Sequence, residues 1–432
     1  MLEEWRGPTA RRAPPAMTAL TDHLWLRQLL LFALRGSSNA IRFALAIYTA
    51  RYLGLADLGL YGLLIGAVII VPAVFGFGLT DWIGRQLVGM PTEQAVGHIS
   101  SRVAVSALTH LVIWPIAWLV NGALGVIPSH LFLLVATILI LEHLSSDADD
   151  LLIVRSRILF ANVLTFIRSG LWPPVIMAWG LLDPAARTFE HLLSGWLASL
   201  VLGWLVIAIY VTARRLWPLL KFDWRWLLDC FRPSLPFYLR DISTVGTLYL
   251  DRFLISIFLG LELTGVYTFY WAVGNVVHSL VLYGMLHNHL AKMVGAAREK
   301  DAGVFAALER RLQKETIVWT VLLALGAAVV TVVILPFIGR PLLQDYLGVF
   351  ALILFATLMR IAADGYGYVL LALHRDRAIA AISMSGAALS ALLNIVLVPA
   401  AGLIGAALAF LLTASSLLTA RLRVRFAGRA NR

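Results

Sequence analysis

The residues that invite a chemical reading are charges set inside apolar stretches. Arg35, Ser38, Asn39 and Arg42 follow at i, i+3, i+4 and i+7, the spacing that places four side chains on one helical face. Two guanidiniums, an amide and a hydroxyl on one stripe suit phosphate oxygens, because guanidinium offers paired N–H donors in a matching fork. The competing reading puts Arg35 at a membrane interface and pairs Arg42 with a distant carboxylate. Further on, Arg240-Asp241 and Asp251-Arg252 bracket a second apolar stretch. Arg240 shares a face with Asp251, and Asp241 with Arg252, so either ion-pair clamping or ligand contact fits. Arg360 and Asp364 are four apart and could pair within a helix. Trp271, Asn275 and His278 form one stripe, able to touch a sugar or to pack between helices. Arg168 stands alone, and the cluster Glu142, Asp147, Asp149 and Asp150, near Arg155 and Arg157, reads as a solvated interface. The candidate ligand contacts are thus Arg35, Ser38, Asn39, Arg42, Arg252, Arg360 and Asn275. Asp241, Asp251 and Asp364 are the candidates for binding H⁺ or Na⁺.

These residues must be held by apolar elements. The 432-residue chain is 60% hydrophobic and 14% charged, with a mean hydropathy of +0.84; an ordinary soluble protein is about 25% charged. Apolar runs long enough to span a bilayer recur from Leu24 to Leu418. The weak alternation of a membrane β-barrel is missing. The expected fold is an all-α polytopic membrane protein of about twelve transmembrane helices, six between 28 and 212 and six between 236 and 420. Residues 1–27 read as a cytoplasmic leader, or in part as sequence upstream of a start at Met17. Residues 213–235 read as an interfacial linker and 421–432 as a basic tail. An arginine facing lipid at mid-helix costs about 2.5–3.5 kcal/mol. Six lie within these spans: Arg35, Arg42, Arg168, Arg240, Arg252 and Arg360. Arg240 can snorkel to an interface; the others need water or a partner.

The net charge of +11 would suggest nucleic acid in a soluble protein, but its placement argues otherwise. With the N-terminus inside, the cytoplasmic segments hold 26 Lys or Arg, and the outer loops hold only Arg51, Arg187 and Arg340. That bias places both termini in the cytoplasm and removes the need for nucleic acid. One cysteine, Cys230, excludes an internal disulfide. The pattern LGL-x3-G-x-Y occurs at Leu53–Tyr61 and again at Leu259–Tyr267, 206 residues later and at the same junction. Six spans separate the copies, so the halves are parallel repeats about an axis along the membrane normal. That arrangement puts a substrate cavity at the repeat interface.

Neither a phosphate-binding loop of the Walker type nor a metal-ligand spacing is present, and no cofactor is expected. Three stretches are similar to one family: Arg51–Tyr61, Asp251–Gly260 continuing to Tyr267, and Leu393-Asn394 through Pro399 and Gly402 to Ala409. They resemble polysaccharide-biosynthesis proteins of the oligosaccharide flippase type, within the multidrug/oligosaccharidyl-lipid/polysaccharide exporter superfamily. The resemblance implies two six-helix bundles around a cavity with alternating access, in the bacterial cytoplasmic (inner) membrane. It also implies an undecaprenyl-pyrophosphate-linked oligosaccharide as cargo, flipped without covalent change, with membrane lipid and polysaccharide polymerase or export machinery as partners. Two alternatives remain: a multidrug or cation antiporter of the same superfamily, which needs an acidic cavity, and an integral-membrane glycosyltransferase or polymerase, against which the short outer loops argue.

Overall fold

The computed structural model describes residues 40–124, 127–154, 157–299 and 301–430. Arg35, Ser38 and Asn39 lie outside the described residues. Among the described residues there is no strand, and ten helices are long and apolar enough to cross a membrane. The first described helix covers 40–53 (α1), its last turn widened to a π-helix at Thr49–Leu53. Leu55–Phe75 (α2), the short Leu79–Leu87 (α3), Thr92–Leu124 (α4), Ser129–Val154 (α5), Leu159–Leu182 (α6) and Phe189–Ala213 (α7) complete the first half. Trp224–Leu259 (α8), Leu261–Val281 (α9), His287–Arg298 (α10), Ala302–Ile338 (α11), Leu347–Ala372 (α12) and Asp376–Ala430 (α13) form the second. Gly402, with φ 60° and ψ −140°, breaks α13 into two spans. With that break and the partly described first span, the helices correspond to the twelve expected. The linker's second part, from Trp224, continues without interruption into the next span as α8.

Both copies of the repeated motif build the same device. Gly54 (φ 127°) and Gly260 (φ 86°) are equivalent in the repeat, and each reverses the chain between two helices in a conformation that L side chains rarely adopt. One turn later, α2 and α9 cross so closely that only hydrogen fits between them. A methyl on Gly59 would meet the carbonyl oxygen of Leu261, and one on Gly265 would meet that of Leu55. These contacts are reciprocal, because Gly59 and Leu55 correspond to Gly265 and Leu261 at the 206-residue offset. The pseudo-symmetry axis therefore passes through this crossing, which we call the apex.

Three apical arginines each cap a helix end. Arg51 donates to Phe337 O (2.5 Å), Arg340 to Ala50 O (2.9 Å) and Arg187 to Gly180 O (2.6 Å). All three carbonyls lie in the last turns of their helices, where free acceptors and the negative dipole end favour a cation. The three exceptions to the positive-inside count thus have a local cause.

The distribution of core shows how the halves meet. At the apex one apolar core is shared by both, from Leu58, Tyr61 and Trp196 to Tyr267, Tyr270, Phe350 and Val398. At the opposite end the core divides into two clusters. Leu79, Ile83, Leu87, Val105 and Leu151 form one, closed by Leu227 and Cys230 of α8. Met293, Phe305, Leu312 and Val369 form the other. The lobes share the apical core and diverge toward the far end into a V, except where α8 stays packed on α3 and the turn before it, with Phe77 against Phe231 and Tyr238 and Trp82 against Phe237. The outer faces of α4 and α11 are apolar and exposed, as at Leu111, Leu119, Leu325, Val329 and Phe337, which is the surface a bilayer would cover.

Candidate functional site

A cavity of about 110 Å³ lies between the lobes below the apex. The first lobe contributes Arg42, Phe43, Tyr61 and Ile65; the second contributes Tyr249, Arg252, Trp271 and Asn275. Among the described residues, no carboxylate lines it. Arg252 is 1% exposed. Its guanidinium carbon sits 3.8 Å from the centre of the Trp271 ring and 5.0 Å from that of Tyr249. Its backbone N–H donates to Asp251, and Nη1 reaches Leu248 O only at 3.5 Å. Nη2 is buried without a partner among the described residues. A desolvated cation–π contact contributes about 2 kcal/mol, whereas a buried unpaired charge costs several. Aromatic stacking alone leaves the deficit open, and an anion in the cavity would close it.

Arg42 lines the same cavity; Arg360 is not among its lining residues. Arg42 is exposed to the space between the lobes and Arg360 is half-buried. Arg360 does not pair with Asp364, although four residues separate them. Asp364 is engaged by His278 Nε2 (2.9 Å) and Arg421 Nη1 (2.9 Å), which tie α12 to α9 and α13. The His278 side chain points to that carboxylate rather than joining Asn275 at the cavity. The carboxylates singled out in the second half are all engaged. Asp251 accepts from Tyr267 OH at 2.7 Å, and Asp241 from Arg240 at 2.8 Å. The expected face-sharing pairs Arg240/Asp251 and Asp241/Arg252 do not form. Arg240 instead reaches across to Asp81 of α3 and so links the lobes.

Nearer the open end a second cavity, about 390 Å³, adjoins the first at Ile69. It carries Asp81, Asp147, Asp150 and Asp241 against Arg240. Three of the four acidic residues of the α5 cluster do not lie at a solvated interface: Glu142, Asp147 and Asp149 are 6%, 3% and 7% exposed, whereas Asp150 is exposed. The three are buried because cations come to them. Arg168 pairs with Glu142 (3.4 Å) and Asp149 (3.1 Å), and Trp196 Nε1 donates to Glu142 (2.7 Å). Arg102, fully buried, pairs with Asp147 at 3.0 Å.

That last pair belongs to a polar stripe not singled out above. Arg102, Ser106, His110 and Trp114 stand at successive i+4 positions along α4, and His143 and Asp147 face them from α5. The repeated four-residue spacing is visible in the sequence; what it hides is that both strips are buried against each other. Among the described residues, no group of three or more His, Cys, Asp or Glu could hold a metal ion.

The fold and site together define a two-lobed helical membrane protein with a cationic cavity on its pseudo-symmetry axis. Among solved structures, the chain aligns over 91% of its length, and 94% of the other chain, with the inward-facing conformation of a multidrug resistance MATE family transporter of the MOP superfamily (TM-score 0.68, 14% identity). An outward-facing conformation of such a transporter aligns over 92% and 94% with a TM-score of 0.56 and 13% identity. A MOP superfamily transporter from Pyrococcus furiosus, described as having a binding pocket of reverse polarity that suggests a different function, aligns over 91% and 93% (TM-score 0.58, 15% identity). At these identities the likeness is one of fold. No family model matches the sequence. No curated protein matches it either.

Proposed function

We propose that this chain is an alternating-access transporter that carries an anionic amphiphile, a polyprenyl-pyrophosphate-linked glycan, from the cytoplasmic to the periplasmic leaflet of a bacterial inner membrane. The observation that carries the reading is the cavity lined by Arg42 and Arg252, with no carboxylate among the described residues, in which Arg252 Nη2 is buried with no partner among them. A pyrophosphate supplies the missing acceptors, and guanidinium forks bind its oxygens in pairs. The glycan would cross between the lobes while the lipid tail stays in the bilayer, and no bond is made or broken. With the termini in the cytoplasm, the shared core lies on the periplasmic side and the V opens inward. The higher TM-score against the inward-facing structure supports that assignment.

A second reading has its own support. Solved neighbours include multidrug transporters, and the adjoining cavity carries Asp81, Asp147, Asp150 and Asp241, the lining a cationic drug would need. This reading is a multidrug antiporter.

Reconstitution separates the two. Liposomes holding the purified protein are given a fluorescent polyprenyl-pyrophosphate glycan, and in parallel a cationic dye. Glycolipid flipping without dye movement, lost in Arg252→Ala, is the expected result. Dye movement without flipping would sink the flippase reading and leave the antiporter.

A further inference from the structure

We propose that the second lobe holds an anionic glycerophospholipid at its cytoplasmic base, the phosphate among Arg298, His374 and Arg375 and an acyl chain along α13. The site lies apart from the inter-lobe cavity, and its binding does not depend on which cargo is carried.

A cavity of about 690 Å³ opens where four helices end, at the last turns of α10 and α12, the first of α11 and the final stretch of α13. Ligand pockets usually enclose about 300–1,000 Å³. Its floor is apolar, with Ala296, Phe305, Leu370 and Ala372 all buried. Arg298, His374 and Arg375 stand exposed at its rim.

The other charges lining the cavity are engaged. Arg425 is held by Glu309 through two bonds, at 2.8 and 2.6 Å. Asp301 caps α11, where its carboxylate accepts from the backbone N–H of Gly303 (3.0 Å) and Val304 (2.9 Å). Among the described residues, neither Arg298 nor Arg375 forms an ion pair.

A helix C-terminus by itself favours a basic residue, because its last carbonyls are free. That accounts for Arg298 on α10 but not for the two residues after α12. There the carbonyls of Val369, Leu370 and Leu371 already accept from the backbone N–H of Leu373 (3.2 Å), Arg375 (3.0 Å) and His374 (3.0 Å). The side chains of His374 and Arg375 are not needed as caps and are left to meet a ligand.

Cations over an apolar floor suit an amphiphile. Guanidinium forks bind phosphate oxygens in pairs, whereas a bare hydrated anion gains nothing from Phe305 and Leu370. A groove of about 540 Å³ shares Val424 with the cavity and lies wholly on α13, between Ile382 of its first span and Ser415 to Val424 of its second. The hydroxyls of Ser416 and Thr419 return to their own helix, at Thr413 O (2.9 Å) and Ser415 O (2.8 Å), so the wall is largely hydrocarbon. Met384, Leu392 and Leu412 of α13 are exposed, as on a face turned to lipid. With the termini in the cytoplasm, as proposed above, the cavity lies at the leaflet whose anionic lipids attract basic pockets between helices. A head held there joins the ends of α10 and α12 and braces the lobe that carries Arg252.

Native mass spectrometry of the purified full-length protein, titrated with phosphatidylglycerol and separately with phosphatidylcholine, reads the site. Phosphatidylglycerol should bind several-fold tighter. Each lost arginine should weaken it about fivefold, and Arg298→Gln with Arg375→Gln about 25-fold together. Arg225→Gln, in the linker, should change nothing. A phosphatidylglycerol with a photoreactive head should crosslink to the ends of α10 and α12, which tests the wild-type protein without any variant. Equal retention of the two lipids, unchanged binding in the double variant, or crosslinks that avoid both helix ends overturns the proposal. Competition identifies the source of the phosphate. Displacement by equimolar inorganic phosphate would make this a free-anion site, and displacement by a polyprenyl pyrophosphate a cargo site; either overturns a resident phospholipid. Binding in detergent has no sidedness, so a reversed orientation would change the leaflet alone. A failure to flip glycolipid in liposomes bears only on the function proposed above.

Discussion

The two ends of the molecule are built on opposite principles. At the apex the lobes share one apolar core, and their helices approach to backbone contact at Gly59 and Gly265. At the open end there are two smaller cores, the first closed by Leu227 and Cys230 of α8, and each half has its own buried ion pair, Arg102–Asp147 in the first and Arg425–Glu309 in the second. There, the charged pair crossing between lobes is Arg240–Asp81, with both side chains about half exposed. Ser234 Oγ adds a bond across, to Phe77 O at 2.9 Å, and Phe77 and Trp82 pack on Phe231, Tyr238 and Phe237 of α8. The contrast teaches which parts are rigid. A lobe stapled internally by buried charges moves as one body, whereas an apolar contact between glycine faces can part without stranding a charge. Conformational exchange should therefore open at the apex and leave each lobe intact.

The comparison can be broken or sharpened in four steps of decreasing effect. Asp147→Ala leaves Arg102 buried without its partner, which should cost about 3–5 kcal/mol; denaturation in detergent should show it as a loss of first-lobe stability. Arg252→Ala removes the unpaired cation of the cavity. Charge-assisted hydrogen bonds contribute about 1.5–3 kcal/mol, so binding of a polyprenyl pyrophosphate should weaken roughly 10- to 150-fold. Arg252→Lys should fall between, since an ammonium lacks the fork, and fluorescence titration reads both. Gly265→Ala places a methyl against Leu55 O. Overpacking of about 1–3 kcal/mol acts only while the apex is closed, so the population should shift toward an open apex, read by pulsed EPR. Asp81→Asn removes an exposed pair, for which about 0–1 kcal/mol is at stake. Its effect on the same distances should be close to nothing, and a large one would show that the open end is clamped after all.

How much of this was legible depends on how far apart the partners lie in the chain. The 206-residue repeat carried the apex: Gly54 and Gly260, then Gly59 and Gly265, occupy equivalent turns and a reciprocal contact. Spacing also singled out Arg42, Arg252 and Asn275, which meet at one cavity. Pairing was not legible. Arg360 and Asp364 have the right interval, yet Arg421, 57 residues on, takes the carboxylate together with His278. Arg168 finds Glu142 and Asp149 only because α5 and α6 pack side by side. The i+4 strip from Arg102 to Trp114 looks like one face of a long helix until His143 and Asp147 are set against it. Local geometry fixes which residues share a face; the partner of that face is set by packing.

The most direct test of the account is a pair of distances measured by pulsed EPR in lipid, with Cys230 replaced by Ala. One pair of labels, at exposed Asp183 in a loop and at exposed Asp345, the end of the short helix Pro341–Asp345, reports on the apex. The other, at exposed Gln94 and Arg377, reports on the open end. Adding a polyprenyl-pyrophosphate glycan should lengthen the first distance and shorten the second within one population. With the probe bound, two unchanged distances, or two that move in the same direction, would contradict alternation between the ends.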